Sequence, residues 1–189
     1  MPVTVDVFDA VEIKNASVLF KGEAVTEPFG CIGKLDAETE IKSIEKKCGG
    51  VTQKKKSKPT QVTVKISGHM QLKVARDVFG ITNKGLIDDV YSYGIDSVGK
   101  DFSFVAEEYD TFEENNRLIA FPNCSAATGF VKSVENGADE LAEIELEITA
   151  LPDAYGEFYY EGINLNSTVQ NKWLTKFNSA ELQKSNATK

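Results

Sequence analysis

Histidine occurs once in the 189 residues, at His69, and tryptophan once, at Trp173. Cysteine occurs three times, at Cys31, Cys48 and Cys124. Three widely spaced cysteines without a CxxC pair offer neither a disulfide framework nor a structural zinc site. Free thiols in a cytosolically assembled protein are the expectation. A Ser-His-Asp or Cys-His arrangement would have to use His69, and a lone histidine beside a strand core is far more often structural than catalytic. No GxGxxG and no GxxxxGK[ST] is present, so nucleotide binding has no support. Nothing approaches 18 consecutive apolar residues, which excludes a membrane-spanning helix. Residues 1–9 lack the basic and apolar regions of a signal peptide. The Asn-x-Ser/Thr triplets at Asn15, Asn123, Asn166 and Asn186 are therefore read as chance matches. No catalytic residue, cofactor or metal ligand is expected, and the chain is read as a non-enzyme.

What is present is ordinary globular material. Hydrophobic residues make up 41% and charged residues 26%. The length suits one domain, residues 1–189, burying roughly 70% of the surface of its unfolded chain. The formal net charge is −8. That argues against a dedicated nucleic-acid binder, which shows a basic face. Carboxylates sit side by side at Asp88-Asp89, Glu107-Glu108 and Glu113-Glu114. Neighbours on a strand point to opposite faces, so these pairs are read as solvated charges and not as an acid–base site.

The clearest pattern is Glu143-Ile144-Glu145-Leu146-Glu147-Ile148-Thr149-Ala150. Its period of two predicts a strand with one dry face and one face carrying Glu143, Glu145 and Glu147. Same-face neighbours lie roughly 7 Å apart along a strand, so the three like charges repel. Residues 34–46 alternate less regularly. Leu35, Ala37, Thr39, Ile41 and Ser43 share one face, and Asp36, Glu38, Glu40 and Lys42 the other. Residues 60–67 form a strong strand with Val62, Val64 and Ile66 inward. Between these two lies Cys48-Gly49-Gly50-Val51-Thr52-Gln53-Lys54-Lys55-Lys56-Ser57-Lys58-Pro59. Its glycines, lysines and proline predict an exposed loop, a flexible arm at about 47–60 on a long hairpin.

Shorter strands are expected at 16–20, 102–106, 117–121 and 157–160, with loop at 122–125, an extended stretch at 130–134 and a turn at 135–137. Residues 74–79 suit one or two helical turns stopped by Gly80. Val169, Trp173 and Phe177 recur every four residues, which predicts a helix over 167–177 capped by Ser167. The polar stretch 179–189 is expected to fray. The sum is a mainly β fold, an antiparallel β-sandwich or barrel with one peripheral α-helix and a long hairpin loop.

Two surfaces carry interaction signals. One is the lysine tip Lys54, Lys55, Lys56 and Lys58, either a solubilising charge run or a basic arm that docks on an acidic neighbour. The other is the acidic strand face, either simply solvated or deliberately acidic. Copies with a basic arm and an acidic body can stack head to tail, which generates rings or filaments. An alternative is a carbohydrate- or receptor-binding β-sandwich using Tyr155, Phe158, Tyr159 and Tyr160, although alternation predicts that these aromatics divide between faces.

Several phrases occur in an order that resembles the major tail proteins of siphoviruses infecting Gram-positive bacteria. They are Gly68-His69-Met70 through Arg76-Asp77-Val78-Phe79-Gly80-Ile81-Thr82, Tyr91-Ser92-Tyr93-Gly94, and Leu118-Ile119-Ala120-Phe121-Pro122-Asn123-Cys124. The acidic strand, preceded by Glu135-Asn136-Gly137-Ala138-Asp139-Glu140, adds a fourth. The resemblance covers roughly residues 60–160. It implies a tail-tube subunit of the virion, assembled in the host cytoplasm into stacked, typically hexameric rings. Implied partners are other copies and further tail proteins (tape measure, tail terminator, baseplate or tip). DNA passes through the lumen without specific binding, and no membrane is involved. On this sequence, the loop with Lys54, Lys55, Lys56 and Lys58 takes the place of the inter-ring contact. Glu143, Glu145 and Glu147, with Glu38 and Glu40, become candidates to line the lumen. Six copies at −8 each would give a ring a formal −48, which needs compensating contacts to stack.

Overall fold

The computed structural model describes residues 5–112, 114–132, 134 and 143–183. Eight strands among the described residues form one antiparallel sheet: β1 (Ala10–Phe20), β2 (Glu27–Pro28), β3 (Gly30–Cys48), β4 (Val51–Met70), β5 (Phe102–Asp110), β6 (Asn116–Ala126), β7 (Ile144–Ala150) and β8 (Tyr160–Ile163). Their order is β2-β1-β5-β6-β7-β4-β3, with β8 paired to β6. The expected mainly β, antiparallel fold is what forms. Among the described residues three helices accompany the sheet where one peripheral helix is expected: α1 (Leu72–Phe79), α2 (Ser167–Thr175) and the short α3 (Ser179–Leu182).

The sheet curls so that its inner faces share one core. Val64, Ile66 and Ile148 from β4 and β7 meet Val18, Phe104 and Phe121 from β1, β5 and β6. Phe29 joins the two ends of the strand order. Its N–H donates to the Ala16 carbonyl at 2.9 Å, and its carbonyl accepts from the Gln71 N–H at 2.7 Å. Its ring lies edge-on to Phe104. α1 buries Val74, Ala75, Val78 and Phe79 against this core. Gly80 ends it at φ 71°, with a Cβ position 2.4 Å from the Val98 backbone, so only glycine fits.

A second, smaller cluster covers the other face of β5 and β6. There Trp173 of α2 and Phe177, just beyond the helix, cover Val105, Leu118 and Ala120, and the Trp173 indole N–H donates to the Ile119 carbonyl at 3.1 Å. The helix expected over 167–177 ends at Thr175. β5 is therefore buried on both faces, which removes the alternation a half-exposed strand would show. The cap of α2 is Asn166, whose side chain accepts from the Val169 N–H; Ser167 is the first helical residue and not the cap.

Other boundaries also differ from the sequence reading. β6 continues through Pro122 to Ala126 where a loop is expected, because a register shift opposite Phe102/Phe104 absorbs the proline. The aromatic run 157–160 enters its strand only at Tyr160. Residues 130–132 form no named strand, and α3 occupies the start of the tail expected to fray. The turn at 135–137 lies outside the described residues.

Candidate functional site: an acidic sheet face continuous with a basic arm

The alternation in β7 is realised: Leu146, Ile148 and Ala150 are buried, and Glu145 and Glu147 point away from the core. Pairing with β4 then sets their neighbours. Lys65 lies opposite Glu147 and Ser67 opposite Glu145. On the other side of β4, Asp36 lies opposite Lys65, Glu38 opposite Thr63 and Glu40 opposite Gln61. Directly opposed side chains share a face, so one three-strand surface carries Asp36, Glu38, Glu40, Glu145 and Glu147. Glu143, just before β7, lays its carboxylate over Gly33, where a Cβ would meet Oε1 at 2.5 Å.

Two lysines interrupt this acidity. Lys34 Nζ pairs with Asp36 at 2.6 Å, and Lys65 Nζ lies 3.9 Å from Glu147. The Asp36 hydrogen bond, then its charge, raises the Lys34 pKa above its ordinary value. The sequence pattern along β7 cannot reveal Lys65 beside Glu147, because that neighbour comes from another strand. Among the described residues Glu38, Glu40, Glu143 and Glu145 form no ion pair. The surface keeps a net acidic character. β4 and β7 have core behind it, whereas β3 contributes only the half-buried Ile32 and Leu35, and its Ala37 and Thr39 are exposed.

The stretch 48–59, expected as a loop, is instead paired strand almost to the tip. The ladder runs from Ile41↔Pro59 through Lys46↔Lys54 to Cys48↔Val51, and only Gly49 and Gly50 turn, at φ 59° and 80°. Two positive-φ residues make the tight hairpin connection that matches strand twist. Lysines at alternate positions fit a ladder as readily as a loop. Pro59 is tolerated because β7 stops at Ala150, opposite Val62, so no strand needs a donor there. A register shift between Glu40 and Ile41 leaves Thr60 as the extra residue on β4.

The alternation of β3 continues past this bulge. Lys42↔Lys58, Ile44↔Lys56 and Lys46↔Lys54 extend the face that carries Glu38 and Glu40. The opposite face holds Ile41↔Pro59, Ser43↔Ser57 and Glu45↔Lys55. There Ser43 and Ser57 share a 2.9 Å hydrogen bond, and Glu45 lies 3.5 Å from Lys55 and 3.6 Å from Lys47. Of the four tip lysines, Lys54, Lys56 and Lys58 therefore share one face, and Lys55 belongs to the other. Lys42 and Lys46, absent from the sequence-level candidates, join the first three. Residues 41–59 hold seven lysines and one glutamate, a formal +6 on a chain of −8, leaving −14 for the remainder. Both faces of this ribbon are exposed.

Other candidate chemistry resolves differently. Cys31 lies directly opposite His69 on β3 and β4, but both are exposed and no hydrogen bond joins them among the described residues. No group of three or more His, Cys, Asp or Glu side chains is placed to hold a metal ion among the described residues. Glu107 and Glu108 are buried, against the expectation of solvated charges. Glu108 is gripped by Arg117 at 2.6 Å. Glu107 accepts from three amides: Asn15 at 2.7 Å, Asn116 at 2.6 Å and Gln170 at 2.7 Å. All three partners are donors, so this is a structural clasp of β1, β5, β6 and α2. Of the aromatics, Phe158 packs on the main core, Tyr160 on the Trp173 cluster, and Tyr155 is exposed. Tyr159 lies on Phe121, so the four share no binding platform.

No protein-family model matches this chain, and no curated protein does. Among solved structures, the chain is similar to the anti-feeding prophage cap, the AFP tube terminating cap, determined by cryo-EM. The identity is 10%, the match covers 86% of this chain and 99% of that chain, and the TM-score is 0.43.

Proposed function

We propose that this chain is a structural subunit of a phage tail tube, self-assembling through its arm into stacked hexameric rings around a channel for DNA. The observation that carries the reading is the charge-segregated β3–β4 ribbon. Its base joins a net acidic sheet face, and its outer half holds a formal +6 with no core of its own. A two-stranded ribbon is marginal in water without something packed on it, so a partner surface supplies what the monomer lacks. The ordered resemblance to major tail proteins across residues 60–160 supports the same role. In the virion tail, further tail proteins would meet the first and last rings.

In such a tube, Glu143, Glu145 and Glu147 of β7 and Glu38 and Glu40 of β3 face the lumen. Cationic walls hold DNA because neutralising its phosphates releases condensed counterions to solution, whereas a carboxylate wall repels phosphate and leaves the duplex free to slide. Lys34 and Lys65 reduce that repulsion locally without reversing it.

Sedimentation of concentrated protein over a range of salt tests self-assembly. Rings or longer polymers that loosen as salt screens the arm are expected. A chain that stays monomeric at every salt concentration would remove the reading.

A further inference from the structure

The 22-residue connection between α1 and β5 presents a second surface. It is fixed from within. Asn83 Nδ2 donates to the Ile87 carbonyl at 2.9 Å and the Val90 carbonyl at 2.6 Å, and Thr82 and Ser92 exchange backbone hydrogen bonds. The Arg76 guanidinium stacks 3.6 Å from the Tyr91 ring centroid, and Tyr93 packs on Phe130. Yet Ile87, Ile95 and Val98 are at least 79% exposed. A segment this well tied down that keeps large aliphatic side chains in water is shaped for a partner. It also carries Asp88, Asp89 and Asp96 against Lys84 alone, and none of these aspartates forms an ion pair among the described residues.

The arm is its complement. On the face of Lys54, Lys56 and Lys58, which form no ion pair among the described residues, Ile44 is 69% exposed, and Val51 at the tip is 62% exposed. The acidic sheet face matches the arm in charge and sets Val131, 43% exposed, beside Asp36, Glu145 and Glu147, whereas segment 82–98 offers three aliphatic side chains at 79% exposure or more. The two surfaces cannot meet within one copy. The arm leaves the sheet at the Gln61 end of β4, while α1 and segment 82–98 follow the Met70 end. From Val51 to Met70 the extended strand spans roughly 60 Å.

We propose that segment 82–98 of one copy is the seat for the β3–β4 arm of the next. The inference rests on the self-assembly reading above and names the partner surface. Tip and seat lie at opposite ends of β4, so the contact is heterologous and propagates from copy to copy. It also leaves the acidic sheet face uncovered.

The native Cys48 at the arm tip provides the probe. In a Cys31→Ser background, Ile95→Cys is introduced and concentrated protein is mildly oxidised and separated without reductant. Burial pushes the Cys124 thiol up to about 12, which keeps it out of the exchange. A ladder of dimer, trimer and higher species is expected, lost when Cys48→Ser is added or Ile95 is restored. Asp88→Lys with Asp89→Lys should weaken the ladder by about tenfold at low salt, and adding Lys54→Glu with Lys56→Glu should restore it. Polymers that sediment normally but give no ladder, or a product that stops at dimer, would overturn the seat while leaving self-assembly standing. Protein that is monomeric by sedimentation would overturn both.

Discussion

At the residue scale, the least legible feature is Glu107. A carboxylate next to another carboxylate in a stretch without alternation reads as surface charge. Its burial follows from two facts that no local pattern contains. β5 is covered on both faces, and three amides from β1, β6 and α2 converge on it. Glu107→Ala would leave Asn15, Asn116 and Gln170 without their acceptor. Asn15 is exposed and Asn116 and Gln170 are half-buried, so water can reach the freed donors. At about 1 kcal/mol per lost hydrogen bond, urea denaturation should show a loss of about 1–3 kcal/mol. Glu107→Gln, which keeps one acceptor, should lose less. Wild-type stability in both variants would show that the clasp contributes nothing.

Asp153 makes a second prediction at this scale. Burial works against its charged form. Hydrogen bonds from Ser179, the Glu157 and Tyr155 N–H groups and the Tyr160 hydroxyl outweigh it and hold its pKa below the usual carboxylate value. A lowered folded pKa means that the contribution is complete above the unfolded value, roughly 4. It is lost as pH falls through the folded value. Thermal melts of wild type and Asp153→Asn should therefore differ at pH 7 and converge as pH drops below about 4. A gap that persists unchanged at pH 2 would contradict this.

At the element scale, the arm is the informative case. Its hairpin nature and basic tip are readable in residues 34–67, and so is the inward set Val62, Val64 and Ile66. Its pairing to the tip is not, because Gly-Gly, a lysine run and a proline are shared by loops and by ladders that have only one neighbour. The division of its charges between two faces depends on the bulge at Thr60, which shifts β4 by one residue against β3. That offset places Lys42 and Lys46 with Lys54, Lys56 and Lys58, and it turns Lys55 to Glu45. Replacing Lys54, Lys55, Lys56 and Lys58 by Glu changes residues that touch no core side chain. Circular dichroism and the melting temperature should stay near wild type, while polymerisation at low salt falls by at least about tenfold. Unchanged polymerisation would count against the arm as an assembly element.

α1 and α2 teach the complementary lesson. Gly80 and the spacing of Val169, Trp173 and Phe177 announce both helices in the sequence. The identity of the α2 cap does not follow, since Asn166 and Ser167 are both good caps and only the backbone geometry chooses between them. The three helices also serve different surfaces. α1 closes the main core, whereas α2 holds the far face of β5 and β6 with Trp173.

At the scale of the whole molecule, charge and shape act together. A body of formal −14 carries an arm of +6 at the end of one continuous ribbon, a separation that favours head-to-tail attraction in the proposed assembly. The acidic face formed by β3, β4 and β7 was legible in the period-two pattern of residues 143–150. Lys65 reads as outward within 60–67, but its place beside Glu147, like that of Lys34 on the same surface, follows only from the strand pairing. In the proposed tube this face would line the channel and the arm would make the contact between copies.

Electron microscopy of the assembled protein, taken to a resolution that traces strands, tests that assignment most directly. The account predicts stacked rings with a hollow centre, with Glu143, Glu145 and Glu147 projecting into it and the arm reaching the adjacent ring. Tubes in which these three glutamates face outward would contradict the channel mechanism, and protein that forms neither rings nor tubes would contradict the assembly itself.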